Sequence, residues 1–240
     1  MNFFFMAWQY LKFRWLVSLL TISGISTGVA LVCAVLALRH ESERALSRDA
    51  GLYDLVAGGK GSPLQLVLSS VYHLDSPTGN IPYKEYERIR SDPRVEWAAP
   101  VGLGDNYLGY RIIGTEKHFF DLPDREGNLF FELAEGDVFQ DRFDVVLGSQ
   151  VAQASGLEIG DSFFGTHGLI EVAGAEVHRD FPYRVSGILA PSGTAQDRAI
   201  FGTLKSVWEI HETEDLLHSA IQGSAIMADH KTRETTAILV

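Results

Sequence analysis

The sequence predicts an α+β protein in which one N-terminal transmembrane helix precedes a mixed α+β extracytoplasmic domain. Residues 15–38 form a stretch without any charged residue, and helix-like and strand-like segments alternate after it without a repeat. All 31 acidic residues lie beyond residue 40, whereas three basic residues, Lys12, Arg14 and Arg39, come before it. The roughly 200 residues from 39 to 240 are enough to bury a core, as one domain or two subdomains.

Residues 15–38 are the predicted transmembrane helix. With a rise of about 1.5 Å per residue, this helix reaches about 36 Å and crosses a hydrocarbon layer of about 30 Å with some tilt. The stretch is longer than the apolar region of a cleaved signal peptide, and Val32 stands where a lipid-modified Cys33 requires a small residue. We therefore prefer a retained helix. It is expected to continue to about residue 50, because residues 39–50 contain neither Gly nor Pro.

The charges that flank this helix predict its orientation. Lys12 and Arg14 precede it, and basic residues beside a membrane span favour the cytoplasmic side. We therefore expect residues 1–14 to be a cytoplasmic stub and residues 39–240 to lie outside the inner (plasma) membrane. The acidity of this outer part excludes nucleic acid as a main partner.

A helix-packing motif occurs inside the span. Gly24 and Gly28 form a G-x-x-x-G pattern, and small residues at this spacing let a second helix approach closely in lipid. The alternative is that Gly, Ser and Ala are simply frequent in membrane spans, and the sequence leaves the two interpretations open.

The outer domain is predicted element by element. Ser62 and Pro63 are expected as N-cap and first residue of a helix to Val71, and Tyr83, Tyr86 and Ile89 form the apolar stripe of a charged helix. Ser149 is expected as the N-cap of a short helix through residue 154, and a further helix covers 204–211. Strands are predicted at 52–56, 95–99, 107–114, 144–147, 162–166, 169–173, 182–190, 199–201 and 234–240.

No motif for catalysis, cofactor binding or metal binding is recognised, so no residue is predicted for those roles. The glycine-rich turn around Lys60 is not a phosphate loop, because Gly61 follows the lysine where Ser or Thr is required. The histidines at 167, 178, 211 and 218 lack metal-site spacing, and no G-x-S-x-G occurs. Cys33 is the only cysteine, so no disulfide forms within the chain.

Several charged pairs are interpreted as structural. The acid pairs Glu132/Glu135 and Asp141/Asp144 are expected to be solvated. Asp197 and Arg198 are either an ion pair within a loop, which is the preferred interpretation, or a contact for a partner.

Three stretches, 54–73, 146–161 and 187–201, resemble the extracytoplasmic core domain of MacB/FtsX-type ABC transporter permeases. The order of a short stub, one span and a long outer α+β domain is also similar to that family. The resemblance covers essentially the whole chain, as the first transmembrane helix plus a MacB-like periplasmic core domain. Such permeases carry three further spans after this domain, and the apolar run at residues 237–240 leads us to expect that this sequence is a piece of a longer one.

The resemblance implies a membrane-spanning permease subunit that is not an enzyme. It implies a cytoplasmic ABC ATPase subunit, a second permease copy forming a dimer, and membrane lipid as partners. In this family, ATP hydrolysis inside the cell is converted into movement of the outer domains. Two other classes remain open: a single-span membrane-anchored extracytoplasmic binding or sensor domain, and a membrane-anchored hydrolase.

Overall fold

The structure is a computed structural model that describes residues 3–124, 127–168, 177–221 and 233–240. The chain divides into two compact units, Met1–Ser47 and Arg48–Val240. The first unit contains helix α1 (Phe3–Phe13) and most of helix α2 (Trp15–Ala50). Within α2, the 29 residues Trp15–Glu43 are long and apolar enough to cross a membrane. Arg39 and Glu43 form an ion pair of 2.8 Å one helical turn apart on its surface.

The second unit contains the remaining helices and all the described strands. The helices are α3 (Pro63–Ser70), α4 (Tyr83–Arg90), α5 (Ser149–Ser155) and α6 (Leu204–Ile221), with 3₁₀ turns at Lys117–Asp121 and Ala195–Arg198. The strands are β1 (Val56–Gly58), β2 (Ile81–Pro82), β3 (Ala99–Tyr107), β4 (Tyr110–Thr115), β5 (Leu133–Gly136), β6 (Asp144–Leu147), β7 (Ser162–His167), β8 (Val177–Leu189), β9 (Ala199–Thr203), β10 (Glu234–Thr235) and β11 (Ala237–Leu239).

Six of these strands close into a ring. Strand β3 pairs with β4, β4 with β9, β9 with β6, β6 with β8, β8 with β7, and β7 returns to β3. The β4–β9 and β6–β8 pairs are parallel and the other four are antiparallel. Strands β11 and β1 extend the sheet beyond β3, and β5 extends it beyond β8.

Successive residues of the central strands pack into different apolar clusters, as the two-residue repeat of a strand requires. Ile112, Val145 and Ile200 belong to a cluster that includes Phe163 and Tyr183 of β7 and β8. Their neighbours along the chain, Ile113, Val146 and Phe201, belong to a second cluster. This cluster is rich in phenylalanine and also includes Phe119, Phe120 and Phe131. Both faces of these strands are therefore buried. The unit contains helices as well as a large sheet, which confirms the predicted α+β class.

The strand prediction was wrong between residues 95 and 107. Residues 95–98 are not a strand, and the observed strand β3 covers residues 99–107, which contain Pro100, Gly102 and Gly104. Tertiary packing explains this strand: a Cβ at Gly104 would lie 2.4 Å from Nε2 of His211 on α6. Glycine is therefore used here for close helix–sheet contact. The predicted strand 169–173 lies outside the described residues, and β5 was not predicted.

Local predictions at helix starts had mixed outcomes. Ser62 is the N-cap of α3, and its Oγ accepts from the N–H of Gln65 at 3.4 Å, as predicted. Ser149 is not an N-cap: Gly148 occupies that position and Ser149 is the first helical residue. Asp144 is not solvated, because its buried carboxylate accepts two hydrogen bonds, of 2.8 and 2.9 Å, from the Arg184 guanidinium. Burial alone would raise the pKa of Asp144, but hydrogen bonds from the Asp141 N–H, from Arg184 and from the Gln140 N–H outweigh it, so the pKa is lowered.

Candidate functional site

The segment that follows α2 is bonded to the central sheet through the last residues of the chain. Strand β1 pairs antiparallel with β11, with Val56 opposite Leu239. Outside the strands, Asp54 and Leu55 both donate their N–H groups to the carbonyl of Val240, at 2.8 and 3.0 Å, and Val240 donates back to Leu55 at 2.9 Å. Because β11 also pairs with β3, backbone hydrogen bonds connect residues 54–58 to the ring through one intervening strand.

Helix α3 packs against β1 and ends in a sharp reversal. His73 has a φ of 57°, in the left-handed region that non-glycine residues seldom occupy. The following N–H, of Leu74, donates to the carbonyl of Leu68 at 2.9 Å and so satisfies one of the last carbonyls of the helix. The reversal directs the His73 ring towards the loop that precedes β9.

His73 and Gln196 join two distant parts of the chain. His73 Nε2 lies 2.9 Å from Gln196 Oε1, across 123 sequence positions. Arg111 on β4 is close by, and its Nη2 donates to the carbonyl of Leu74 at 3.4 Å. His73 Nδ1, Arg111 Nη1 and Gln196 Nε2 are buried without a hydrogen bond of good geometry. The structure therefore brings three polar side chains together, each with a buried nitrogen that has lost its hydrogen bonds to water at a cost in free energy.

Burial keeps the His73 imidazole uncharged. Burial lowers the pKa of His73 from 6.5 to about 4, and the nearby positive charge of Arg111 acts in the same direction, although the hydrogen bond with Gln196 opposes it. Burial also lowers the pKa of Arg111, partly offset by Asp75. His73 is consequently neutral at neutral pH, so the two side chains do not repel each other as two cations.

Gly148 and Asp197 complete the junction. A Cβ at Gly148 would lie 2.4 Å from the carbonyl oxygen of Gln196 and 2.5 Å from that of Asp197. The buried Asp197 carboxylate accepts hydrogen bonds from Ser192 and Gly193 at 2.8–2.9 Å. It thus shapes the loop, whereas Arg198 is exposed and no ion pair joins the two in the described part of the chain. The three stretches 54–73, 146–161 and 187–201 therefore meet at one place.

A second polar cluster fixes α4 to the sheet. The Glu116 carboxylate accepts hydrogen bonds from the hydroxyls of Tyr83 and Tyr86. It also lies 3.3 Å from His118 Nδ1 and 3.7 Å from Arg90. Tyr86 is almost fully buried, at 1% exposure. The predicted apolar stripe of α4 therefore also carries the hydroxyls that contact Glu116.

Both nitrogens of the His118 ring face hydrogen-bond acceptors. While Nδ1 approaches Glu116, Nε2 lies 2.7 Å from the carbonyl oxygen of Ala98, just before β3. The hydrogen bond with His118 is the main cause that lowers the pKa of Glu116 to about 2. The same contact is the main cause that raises the pKa of His118. This geometry suits a protonated imidazole that donates from both nitrogens.

The glycines and the lysine noted in the sequence lie on exposed parts of the chain. Gly24 and Gly28 lie on exposed α2, and a Cβ at either would meet no atom within 4 Å, so their role in helix packing stays a prediction. Lys60 is exposed in a turn whose Gly59 carbonyl accepts from Thr78 Oγ1 at 3.0 Å. Among the residues that the structure describes, no group of three or more metal-ligating side chains is close enough to hold an ion.

Sequence reasoning did not find the junction residues. His73 and Gln196 both lie inside the stretches already singled out, so their position there was an available signal. Arg111 had no such signal, because it lies in an ordinary strand and gains its role only through the register that pairs it with Ala199.

The chain matches one family of known proteins and is similar to solved structures. The sequence model of the MacB-like periplasmic core domain family matches residues 18–237. The periplasmic region of MacB from Actinobacillus actinomycetemcomitans is similar with 12% identity and a TM-score of 0.44, covering 77% of this chain and 72% of that one. The extracellular domain of the noncanonic ABC-type transporter YknZ from Gram-positive bacteria has 9% identity and a TM-score of 0.40, covering 78% and 83%. No curated protein matches the chain.

Proposed function

The chain belongs to the MacB-like periplasmic core domain family, and on that premise we propose that it is the permease subunit of a MacB/FtsX-class ABC transporter. In this role it couples ATP hydrolysis by a separate cytoplasmic subunit to a conformational change outside the membrane. The observation that carries the proposal is the extent of the family match. It begins at residue 18, inside the apolar helix, and continues to residue 237.

The bonding of residues 54–58 supports a mechanical role. Hydrogen bonds from this segment reach β11, and β11 is bonded to β3 of the ring. The neutral His73–Gln196 junction ties α3 to the loop before β9 and so supports movement of the unit as one body. A domain that transmits movement has to be stiff, and it does not require reactive side chains.

The membrane arrangement follows from charge and packing. An apolar N-terminal helix before a periplasmic core domain indicates an inner-membrane protein with an extracytoplasmic domain. We propose that the stub containing Lys12 and Arg14 is cytoplasmic, and that Gly24 and Gly28 contact a second permease copy within the lipid.

The test of the helix contact is a membrane two-hybrid assay of self-association. Gly24→Leu and Gly28→Leu are expected to weaken association several-fold, because a leucine keeps the two backbones apart. Ser26→Leu is the control, since Ser26 lies on the opposite face of the helix and is replaced by the same side chain. If all three variants self-associate as strongly as the parent chain, the proposed contact is refuted.

The test of the coupling begins with purification of the full chain in mild detergent and identification of a co-purifying ATPase. A spin label is then placed at Leu108, on the exposed turn between β3 and β4, in a Cys33→Ala background. The label-to-label distance between two copies is measured with ATP and with ADP. We expect the distance distribution to change only when the ATPase is present. If no ATPase co-purifies, the single-span binding or sensor domain becomes the better assignment.

A further inference from the structure

Strand β5 leaves one edge of the sheet open. It is the last strand in the order and pairs on one side with β8, with Leu133 opposite Leu189 and Gly136 opposite Gly187. All four residues of β5 are exposed. Since β5 has no strand on its other side among the described residues, the backbone groups there point to solvent and form a template for a further strand.

A groove lies over one face of the paired strands β5 and β8, next to this edge. It has a volume of about 520 Å³ and is lined by Glu135, Ala152, Gly156, Leu157, Glu158, Ile159 and Ile188. Ile159 in the groove is 43% exposed, and Leu133 in β5 is 37% exposed. The surface therefore combines open backbone groups with aliphatic side chains, which is the composition used when an extended peptide adds to a sheet.

The charges around the groove are of one sign. Glu135 and Glu158 line it and Glu132 precedes the strand, all three exposed. In the part of the chain that the structure describes, none of these carboxylates forms a salt bridge with a basic side chain, whereas other acids do, such as Glu209 with Arg142 at 2.9 Å. An occupant with positive charge would satisfy them.

We propose that this edge and groove bind an extended, basic segment of a partner protein, which adds a strand beside β5 and places a Lys or Arg side chain between Glu135 and Glu158. Two other occupants are disfavoured by charge. A second copy of the same edge would bring like charges together, and an anionic lipid surface would be repelled. The proposal goes beyond the coupling function, because it concerns a different surface and a different partner.

The experiment uses the full-length chain in its own cells, with the photo-crosslinking residue p-benzoylphenylalanine at position 133. The same residue at Leu108 is the matched control, because Leu108 is also an exposed leucine, 52% accessible, but lies in a turn. We expect at least fivefold more protein adduct from position 133. Mass spectrometry should locate the adduct in a segment that carries Lys or Arg within two residues of the crosslink.

Charge reversal provides the second arm. Glu135→Lys combined with Glu158→Lys should reduce the adduct at least fivefold, whereas Glu96→Lys, an exposed acid elsewhere, should leave it unchanged. Co-purification of the ATPase is followed in parallel and should not change, which keeps this test separate from that of the proposed function. Equal adducts at positions 133 and 108, adducts only to lipid or to a second copy, or no effect of charge reversal would each overturn the proposal.

Discussion

Acid should destabilise the outer unit through His73. The pKa of this side chain is 6.5 when unfolded and about 4 when folded, so the unfolded chain takes up the proton first as the pH falls. The stability that His73 contributes is complete above pH 6.5 and is lost progressively as the pH decreases towards 4. At about 1.4 kcal/mol per pH unit this amounts to about 3 kcal/mol, and about 2–3 kcal/mol after allowance for the half-buried position of the residue.

Thermal unfolding of the intact chain in detergent, followed by tryptophan fluorescence, measures this effect. For a unit of this size, 2–3 kcal/mol corresponds to a decrease in Tm on the order of 5–10 °C between pH 6.5 and pH 4.2. His73→Asn is the informative variant, because asparagine tolerates a positive φ and does not titrate. Its decrease should be less than half that of the parent chain.

The comparison at pH 7.5 supplies the control, since there the two chains differ only by the cost of the substitution.

Other titrating groups affect stability in other pH ranges. The contribution of Glu116, whose folded pKa is about 2, is lost mainly below pH 4.5. His118 acts above pH 6.5, because its folded pKa is raised. If the parent chain and His73→Asn lose the same stability between pH 6.5 and pH 4.2, the burial of His73 is not the cause.

Two further predictions concern the second cluster and the junction. Below pH 6.5 the stabilisation by protonated His118 is complete, and it should decrease as the pH rises through the raised pKa; His118→Gln should remove this alkaline slope in thermal melts between pH 6 and pH 9. Gly148→Ala should lower the free energy of unfolding by about 2–3 kcal/mol or more, because the new methyl group would overlap the backbone carbonyl of Gln196. Denaturant titration measures this loss, and an unchanged midpoint would contradict the close packing.

Elements determined by neighbouring residues were readable from the sequence. The N-cap at Ser62 and the stripe of Tyr83, Tyr86 and Ile89 depend on spacings of three or four positions, and both are found in the structure. The long apolar helix α2 was also readable, because length and composition alone predict it.

Elements determined by distant residues were not readable. Strand β3 contains Pro100, Gly102 and Gly104, which locally favour a loop. The two glycines are explained only by close contact with Leu204 and His211 of α6. Strand β5 was missed because an exposed Leu-Ala-Glu-Gly run has no alternation of apolar and polar residues. The His73–Gln196 contact joins residues 123 positions apart, so no local spacing in the sequence predicts it.

The closed ring of six strands has a consequence for local opening. Each of its strands is hydrogen-bonded to a neighbour on both sides. To separate one of these strands, the hydrogen bonds on both of its sides must break. Backbone amides of β4, β6 and β9 should therefore exchange with deuterium only through cooperative opening of the ring, whereas amides of β1 and β5, with one neighbour each, should exchange much earlier.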